Sequence, residues 1–246
     1  MNLSGKTAIV TGGAIRLGGA VCEALAARQC NVVIHCRRSL EQAHDLAERL
    51  RMSGGVRTFV VCGDISTEAG CRTVMKRAGR LAGKMDILVN NASVFGCDRI
   101  ADLTEKNMLE QLRINFVTPA LLMREFLKQT VRGKIVNMLD RRVAGNESGC
   151  LPYLLSKKAL AELTASSALE LAPGIAVNGV APGPVLPAVG KHLTEAKRKA
   201  GNVPLGRRPI PADIAAAVIF LLESDAITGQ VIYVDGGQHL LGTCVR

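Results

Sequence analysis

Tyr153 and Lys157, in "LPYLLSKKAL", stand four residues apart and therefore on one face of any helix that carries them. Free tyrosine titrates at about 10, too high for a proton shuttle at neutral pH. An ammonium one turn away favours the phenolate and moves the acid toward the working pH. Upstream, where the buried run "KIVNML" ends, stands Asp140. An ionised carboxylate cannot donate to a carbonyl oxygen and repels an incipient alkoxide, so this set disfavours ordinary ketone reduction unless Asp140 is held protonated. It suits an amidine or amino-heterocycle with paired N–H donors, or the orienting of a tyrosine that protonates a ring nitrogen.

Such a set must be held by a scaffold, and the scaffold is legible. Short β-branched runs recur: Lys6–Thr11, Asn31–Cys36, Thr58–Cys62, Asp86–Asn90, Lys134–Leu139, Ile175–Val180 and Gln230–Asp235. Helical patterns separate them, among them Leu17–Arg28, Leu40–Met52, a long amphipathic segment over Leu103–Thr130, and a last helix with Pro211 in its first turn. Strands alternating with helices imply parallel βαβ units, hence an α/β fold: one Rossmann-type doubly wound domain over 1–246, seven parallel strands with helices on both faces. The stretch 186–208 breaks the alternation with Pro, Gly and a short polar helix, and reads as a substrate-binding loop.

Composition fits. Of 246 residues, 48% are hydrophobic and 21% charged, with five Phe, two Tyr and no Trp, so Ala, Val, Ile and Leu must build the core. The net charge of +10 suits a polyanion, but Lys and Arg are dispersed and no basic block interleaves with aromatics, which argues for a nucleotide cofactor rather than nucleic acid. The eight cysteines form no C-x-x-C pair, and no metal site is expected. Without a signal-like amino terminus or a spanning apolar run, the chain reads as soluble and cytoplasmic.

The strand ends supply a dinucleotide site. "TGGAIRLGGA" is a Gly-rich turn opening a helix, where Gly12, Ile15, Arg16, Leu17 and Gly18 can present N–H groups and a positive dipole end to a pyrophosphate. The strict G-x-G-x-x-G pattern fails, with Arg16 where a third glycine would often stand. An acid after the second strand would select NAD; "HCRRS" instead provides His35, Arg37, Arg38 and Ser39, and guanidiniums suit a 2′-phosphate. NADPH/NADP+ is thus the expected cofactor. Asp64 and Ile65 follow the third strand, where an adenine would sit; Asn90, Asn91, Ala92 and Ser93 follow the fourth.

Together "TGGAIRLG", "GDIS", "NNAS", "INF", Tyr153-x-x-x-Lys157, "APG" and "VDGG" resemble the short-chain dehydrogenase/reductase family in order and spacing from residue 5 to 237. The resemblance implies Tyr153 as proton donor, Lys157 as ribose-binding and pKa-lowering partner, Asn115 as holder of a relay water, Gly183 and Val185 beside the nicotinamide, and usually a homotetramer. Where Asp140 stands the family usually has Ser. Asp140, Arg16, "HCRRS" and "NNASVF" are similar to its pteridine reductase branch, which implies substrate contacts from Arg16, Ser93, Phe95, Asp140, Tyr153 and Leu186, with Phe95 stacking on the pterin. Arg141 and Arg142 read either as an attractor for an anionic tail or as a solvated turn.

The expected activity is NADPH-dependent reduction of a dihydropterin, such as dihydrobiopterin, dihydromonapterin or dihydrofolate, at a ring C=N bond. The alternatives are a reductase of ketones or 3-oxoacyl thioesters, and a non-catalytic NADP(H)-binding sensor.

Overall fold

A computed structural model describes residues 1–186 and 203–241. The expected 186–208 loop therefore lies outside the described residues from 187 to 202. Seven parallel strands form one sheet: β1 Thr7–Val10, β2 Asn31–Cys36, β3 Thr58–Cys62, β4 Ile87–Asn90, β5 Gly133–Met138, β6 Ile175–Pro182 and β7 Val231–Val234. Their order is β3-β2-β1-β4-β5-β6-β7, so chain direction across the sheet reverses between β1 and β4. Ligands of open α/β sheets bind at such a switch point, beyond the carboxyl ends of the strands.

β1 and β2 are buried at every residue, which is why they read as unbroken apolar runs rather than alternating ones. Successive side chains face opposite layers. Val10 and Ile34 enter the layer shared with α1 (Arg16–Ala27), α2 (Leu40–Gly54) and α7 (Pro211–Glu223). Ile9, Val33 and Leu88 enter the other, with α3 (Glu68–Ala82), α5 (Thr118–Leu127) and α6 (Leu151–Glu170). At the start of α7 Asp213 accepts from the Ile210 N–H, and both its oxygens are bonded by Arg207.

The long helix expected over Leu103–Thr130 runs unbroken in chain from Glu105 to Leu127, but its α-helical hydrogen bonding breaks at a π-turn. Thr104 caps α4 (Glu105–Leu112), a π-turn follows over Arg113–Val117, and only then does α5 begin. Pro119 explains the break: it has no N–H for the Asn115 carbonyl, and its ring crowds that carbonyl. A π-turn widens the helix where it occurs, often at a functional site. Here it carries Asn115. Among the described residues no helix is long and apolar enough to cross a membrane.

Candidate active site

At the carboxyl edge of the sheet opens a cleft of about 900 Å³. Its wall takes in the β1–α1 turn, the ends of β2 to β6 and the first turn of α6. The sequence-predicted site residues meet there, apart from Asn115, Arg38 and Ser39, which do not line it.

The β1–α1 turn is held in a form that few sequences could adopt. Gly12 and Arg16 have φ of 61° and 57°. A Cβ on Gly18 would lie 2.2 Å from the Gly12 carbonyl oxygen, so only glycine fits. Helix α1 has Ile15 at its N-cap, with no side-chain cap and no acid in its first turn, leaving its leading N–H groups for an anion. His35 fixes this turn from below. Its Nδ1 accepts from Gly12 N–H at 3.3 Å and its Nε2 faces the Gly63 carbonyl at 3.1 Å, which makes it a neutral Nε2–H tautomer. Burial also depresses its pKa. The ring lines the cleft, but both nitrogens are engaged by protein, so His35 shapes the site rather than reaching from it.

At the end of β2, Arg37 pairs with Asp64 at 2.9 Å, with both side chains about half exposed. Asp64 also accepts from Ser66 N–H, the first cause of its lowered pKa; Arg37 adds to it. After β4, Thr11 Oγ1 accepts from the N–H groups of Asn91 and Ala92 while the Asn91 amide donates to the Thr11 and Gly12 carbonyls. The two strand ends at the switch point are thus stitched together.

Asn115 sits behind the next loop. It is fully buried, and its oxygen accepts from Ser93 Oγ and Val94 N–H, both at 2.9 Å. Its amide donates to the Val94 carbonyl and to Ser156 Oγ. The side chain clamps the Ser93–Val94 backbone against α6, one layer away from the cleft. Ser156, which the sequence reading passed over, completes the clamp by donating to the Tyr153 carbonyl at 2.7 Å.

The candidate reacting groups lie on α6 and the end of β5. Tyr153 is 7% exposed, and its hydroxyl donates to Asp140 Oδ2 at 2.9 Å. Lys157 Nζ donates to the Met138 carbonyl at 2.7 Å and stands 5.8 Å from the centre of the Tyr153 ring. Burial brings its pKa down to about 8, with Asp140 working the other way. In this structure burial and Asp140, not Lys157, set the direction of the tyrosine shift. The phenol is held well above its ordinary value, first by burial and then by the charge and hydrogen bond of Asp140. Tyr153 is a neutral proton carrier whose proton points at a carboxylate.

Asp140 in turn is set by the residues after it. Its Oδ1 accepts from Arg142 N–H at 2.9 Å, and Arg142 Nη1 lies 3.1 Å from Oδ2 and 3.4 Å from Oδ1. With Tyr153 this makes four contacts, all from donors, which fits the ionised form and takes up about all four lone-pair sites. A substrate N–H reaches Asp140 only by exchange with one of them. Arg142 Nε also bonds Glu147 Oε2 at 2.7 Å, and Arg141 pairs with Glu147 Oε1. The two arginines are therefore neither a solvated turn nor a free attractor for an anionic tail: two cations face two carboxylates. Phe95, half exposed at the cleft mouth, meets the Tyr153 ring edge-on at 4.7 Å and lies 5.8 Å from the Arg142 guanidinium.

Comparison with known proteins adds the following. The family model described as "Enoyl-(Acyl carrier protein) reductase" matches residues 13–239. A crystal structure of FolM alternative dihydrofolate reductase 1 from Brucella canis, complexed with NADP, superposes with a TM-score of 0.92 at 36% identity, covering 97% of this chain and 96% of that one. An uncharacterized oxidoreductase of Bacillus subtilis, YmfI, is 32% identical over 95% of this chain and 99% of its own. The 3-oxoacyl-[acyl-carrier-protein] reductase FabG of Rickettsia conorii is 31% identical over 98% of this chain and 100% of its own.

Proposed function

The chain belongs to the short-chain dehydrogenase/reductase family, and from that premise we propose that it reduces a dihydropterin, such as dihydrobiopterin, dihydromonapterin or dihydrofolate, at a ring C=N bond. Its cofactor is NADP(H). The observation that carries the proposal is the Tyr153–Asp140 hydrogen bond. Where an enzyme of carbonyl chemistry needs a second donor for its oxygen, this site has an acceptor that repels negative charge.

The residues present fit the cofactor. The glycine turn and the uncapped α1 terminus suit the pyrophosphate, Arg37, Arg38 and Ser39 the 2′-phosphate, and Asp64 and Ile65 the adenine. Asn91, Ala92 and Ser93 with Lys157 would border the ribose and nicotinamide, and Gly183 and Val185 would offer backbone groups. Bound NADPH supplies a hydride to the carbon of the C=N bond. The neighbouring nitrogen then takes a proton from the Tyr153 hydroxyl, and solvent restores that proton. A nitrogen anion is basic enough to draw a proton even from a phenol whose pKa is raised. Asp140 keeps the hydroxyl aimed and accepts a substrate N–H by exchange; Lys157, cationic at neutral pH, offsets the charge left on the phenolate. Arg16, Ser93, Phe95 and Leu186 would border the substrate, with Phe95 as the stacking surface for its flat ring. FolM structures with NADP support this reading.

Carbonyl reduction is the reading that the FabG relatives support, and one assay separates the two. NADPH oxidation is followed with a panel of dihydropterins, simple ketones and a 3-oxoacyl thioester. Turnover of a dihydropterin is expected. Turnover of ketones or thioesters with none of any pterin would sink the proposal, and NADPH binding with no turnover at all would make the chain a sensor. A homotetramer in the cytoplasm belongs to the same reading.

A further inference from the structure

We propose that Arg142 is a positioning residue of this site, locked by Glu147, which holds Asp140 in the orientation that aims the Tyr153 hydroxyl and braces the Phe95 wall of the substrate cleft. The proposal rests on the reading of Tyr153 as proton donor, and four observations carry it. First, Arg142 grips Asp140 twice, through its own backbone N–H on Oδ1 and through Nη1 on Oδ2. Second, Oδ2 is the oxygen that accepts the hydrogen bond of the Tyr153 hydroxyl, so turning the carboxylate turns the phenol. Third, Glu147 takes Nε of the same guanidinium and also binds Arg141, so the planar fork is held on two sides. Fourth, the guanidinium lies over the Phe95 ring, which also packs against the Tyr153 ring in a T-shaped pair.

Residues 141–144 form a single 3-10 turn, capped at its start by Asp140 itself. Such a short turn has little rigidity of its own. The ion-pair chain Tyr153–Asp140–Arg142–Glu147–Arg141 supplies it, and Arg142 is the link without which the two halves separate. Only arginine has a planar fork that can meet two carboxylates at fixed angles; lysine would keep the charge and lose the geometry.

The test uses Arg142→Ala, Arg142→Lys and Glu147→Gln in the full chain, with kcat, KM, NADPH dissociation constant and melting temperature measured for each. Arg142→Ala is expected to lower kcat about 10- to 100-fold, the range of one charge-assisted hydrogen bond, while substrate KM rises less than about threefold and NADPH affinity changes less than about twofold. Arg142→Lys should recover part of that loss, and Glu147→Gln should lower kcat less than Arg142→Ala does. An unchanged kcat in Arg142→Ala overturns the proposal. So does a loss of kcat matched by an equal loss of NADPH affinity, because that is the mark of general loosening. If Arg142→Ala does not fold, Arg142→Lys and Glu147→Gln, which keep the volume, decide by the same criteria. All measurements use whichever substrate the wild type turns over. The substrate panel tests the pterin reading and the Arg142 variants test the holding of Asp140, so the two failures give different results.

Discussion

The hydroxyl of Tyr153 and Nη1 of Arg142 converge on one oxygen, Oδ2 of Asp140, at 2.9 and 3.1 Å. The carboxylate therefore joins the Tyr153 hydroxyl to the loop that borders the cleft. Asp140→Ser returns the site to the donor that the family usually places there, removing the acceptor for Tyr153. Dihydropterin turnover should fall about 100-fold, the scale of a lost general acid–base arrangement, while turnover of simple ketones stays level or improves. Parallel kinetics on both substrate classes check this; equal loss on both would mean that Asp140 does not set the choice of substrate.

Lys157 makes a pH-dependent prediction for stability. Buried, it titrates at about 8, whereas the unfolded chain holds the proton to about 10.4. Between those values the unfolded state binds more protons, so this group's contribution to stability rises with pH. Below about 8 it costs the fold about 3 kcal/mol. Lys157→Met removes that cost and also the hydrogen bond to the Met138 carbonyl. The stability of wild type relative to Lys157→Met should therefore climb from pH 7 to pH 10, as read by urea unfolding. A pH-independent difference would contradict the buried, shifted ammonium.

For activity the sign is opposite. The cationic form of Lys157 offsets the phenolate, so kcat should decline on the alkaline side as that charge is lost from about pH 8. A profile of kcat against pH at saturating NADPH checks it, and a rate that keeps rising past pH 9 would exclude a role for the ammonium in the chemical step.

Gly18 tests the turn. Alanine there would place its Cβ 2.2 Å from the Gly12 carbonyl oxygen and 2.7 Å from the Asn91 amide, so the β1–α1 turn must move. Gly18→Ala should cost about 2–4 kcal/mol in stability and weaken NADPH binding by at least about tenfold. Thermal melts and fluorescence titration measure both, and unaltered NADPH affinity would show that the turn is not the pyrophosphate cradle.

The sheet was fully legible in the sequence because each strand is a short apolar run bounded by glycine or a polar turn, and all seven lie within two residues of where the runs place them. The pairing of Tyr153 with Asp140 was legible too, because strand end and helix start face one cleft. What periodicity could not show was the π-turn at Arg113–Val117, since the chain stays helical through it; Pro119 was the available signal. Nor could spacing reveal that His35 spends both nitrogens on backbone, or that Asn115 bonds the Ser93–Val94 loop, since those partners are distant in sequence. The neutralised arginines are the clearest case. "DRRVAGNESGC" looks basic at its start, and only the fold of the loop returns Glu147 to Arg141 and Arg142.

Cofactor choice rests on the end of β2, where a competition must be decided. Arg37 already pairs with Asp64 at 2.9 Å, but both partners are about half exposed, and such pairs contribute about 0–1 kcal/mol. A hydrogen bond to a phosphate dianion contributes about 1.5–3 kcal/mol, so Arg37 should leave Asp64 for a 2′-phosphate when one is present. Arg38, next in the chain and exposed, adds a second cation. The double variant Arg37→Ala/Arg38→Ala should therefore lose about 10- to 100-fold in NADPH affinity while NADH affinity moves by less than about threefold. Raising salt should weaken NADPH binding to wild type more than to the variant, because surface charges are screened. Titrations of both nucleotides into wild type and variant at low and high ionic strength test both statements. If NADPH and NADH affinities fall together, the arginines hold the strand end rather than read the phosphate.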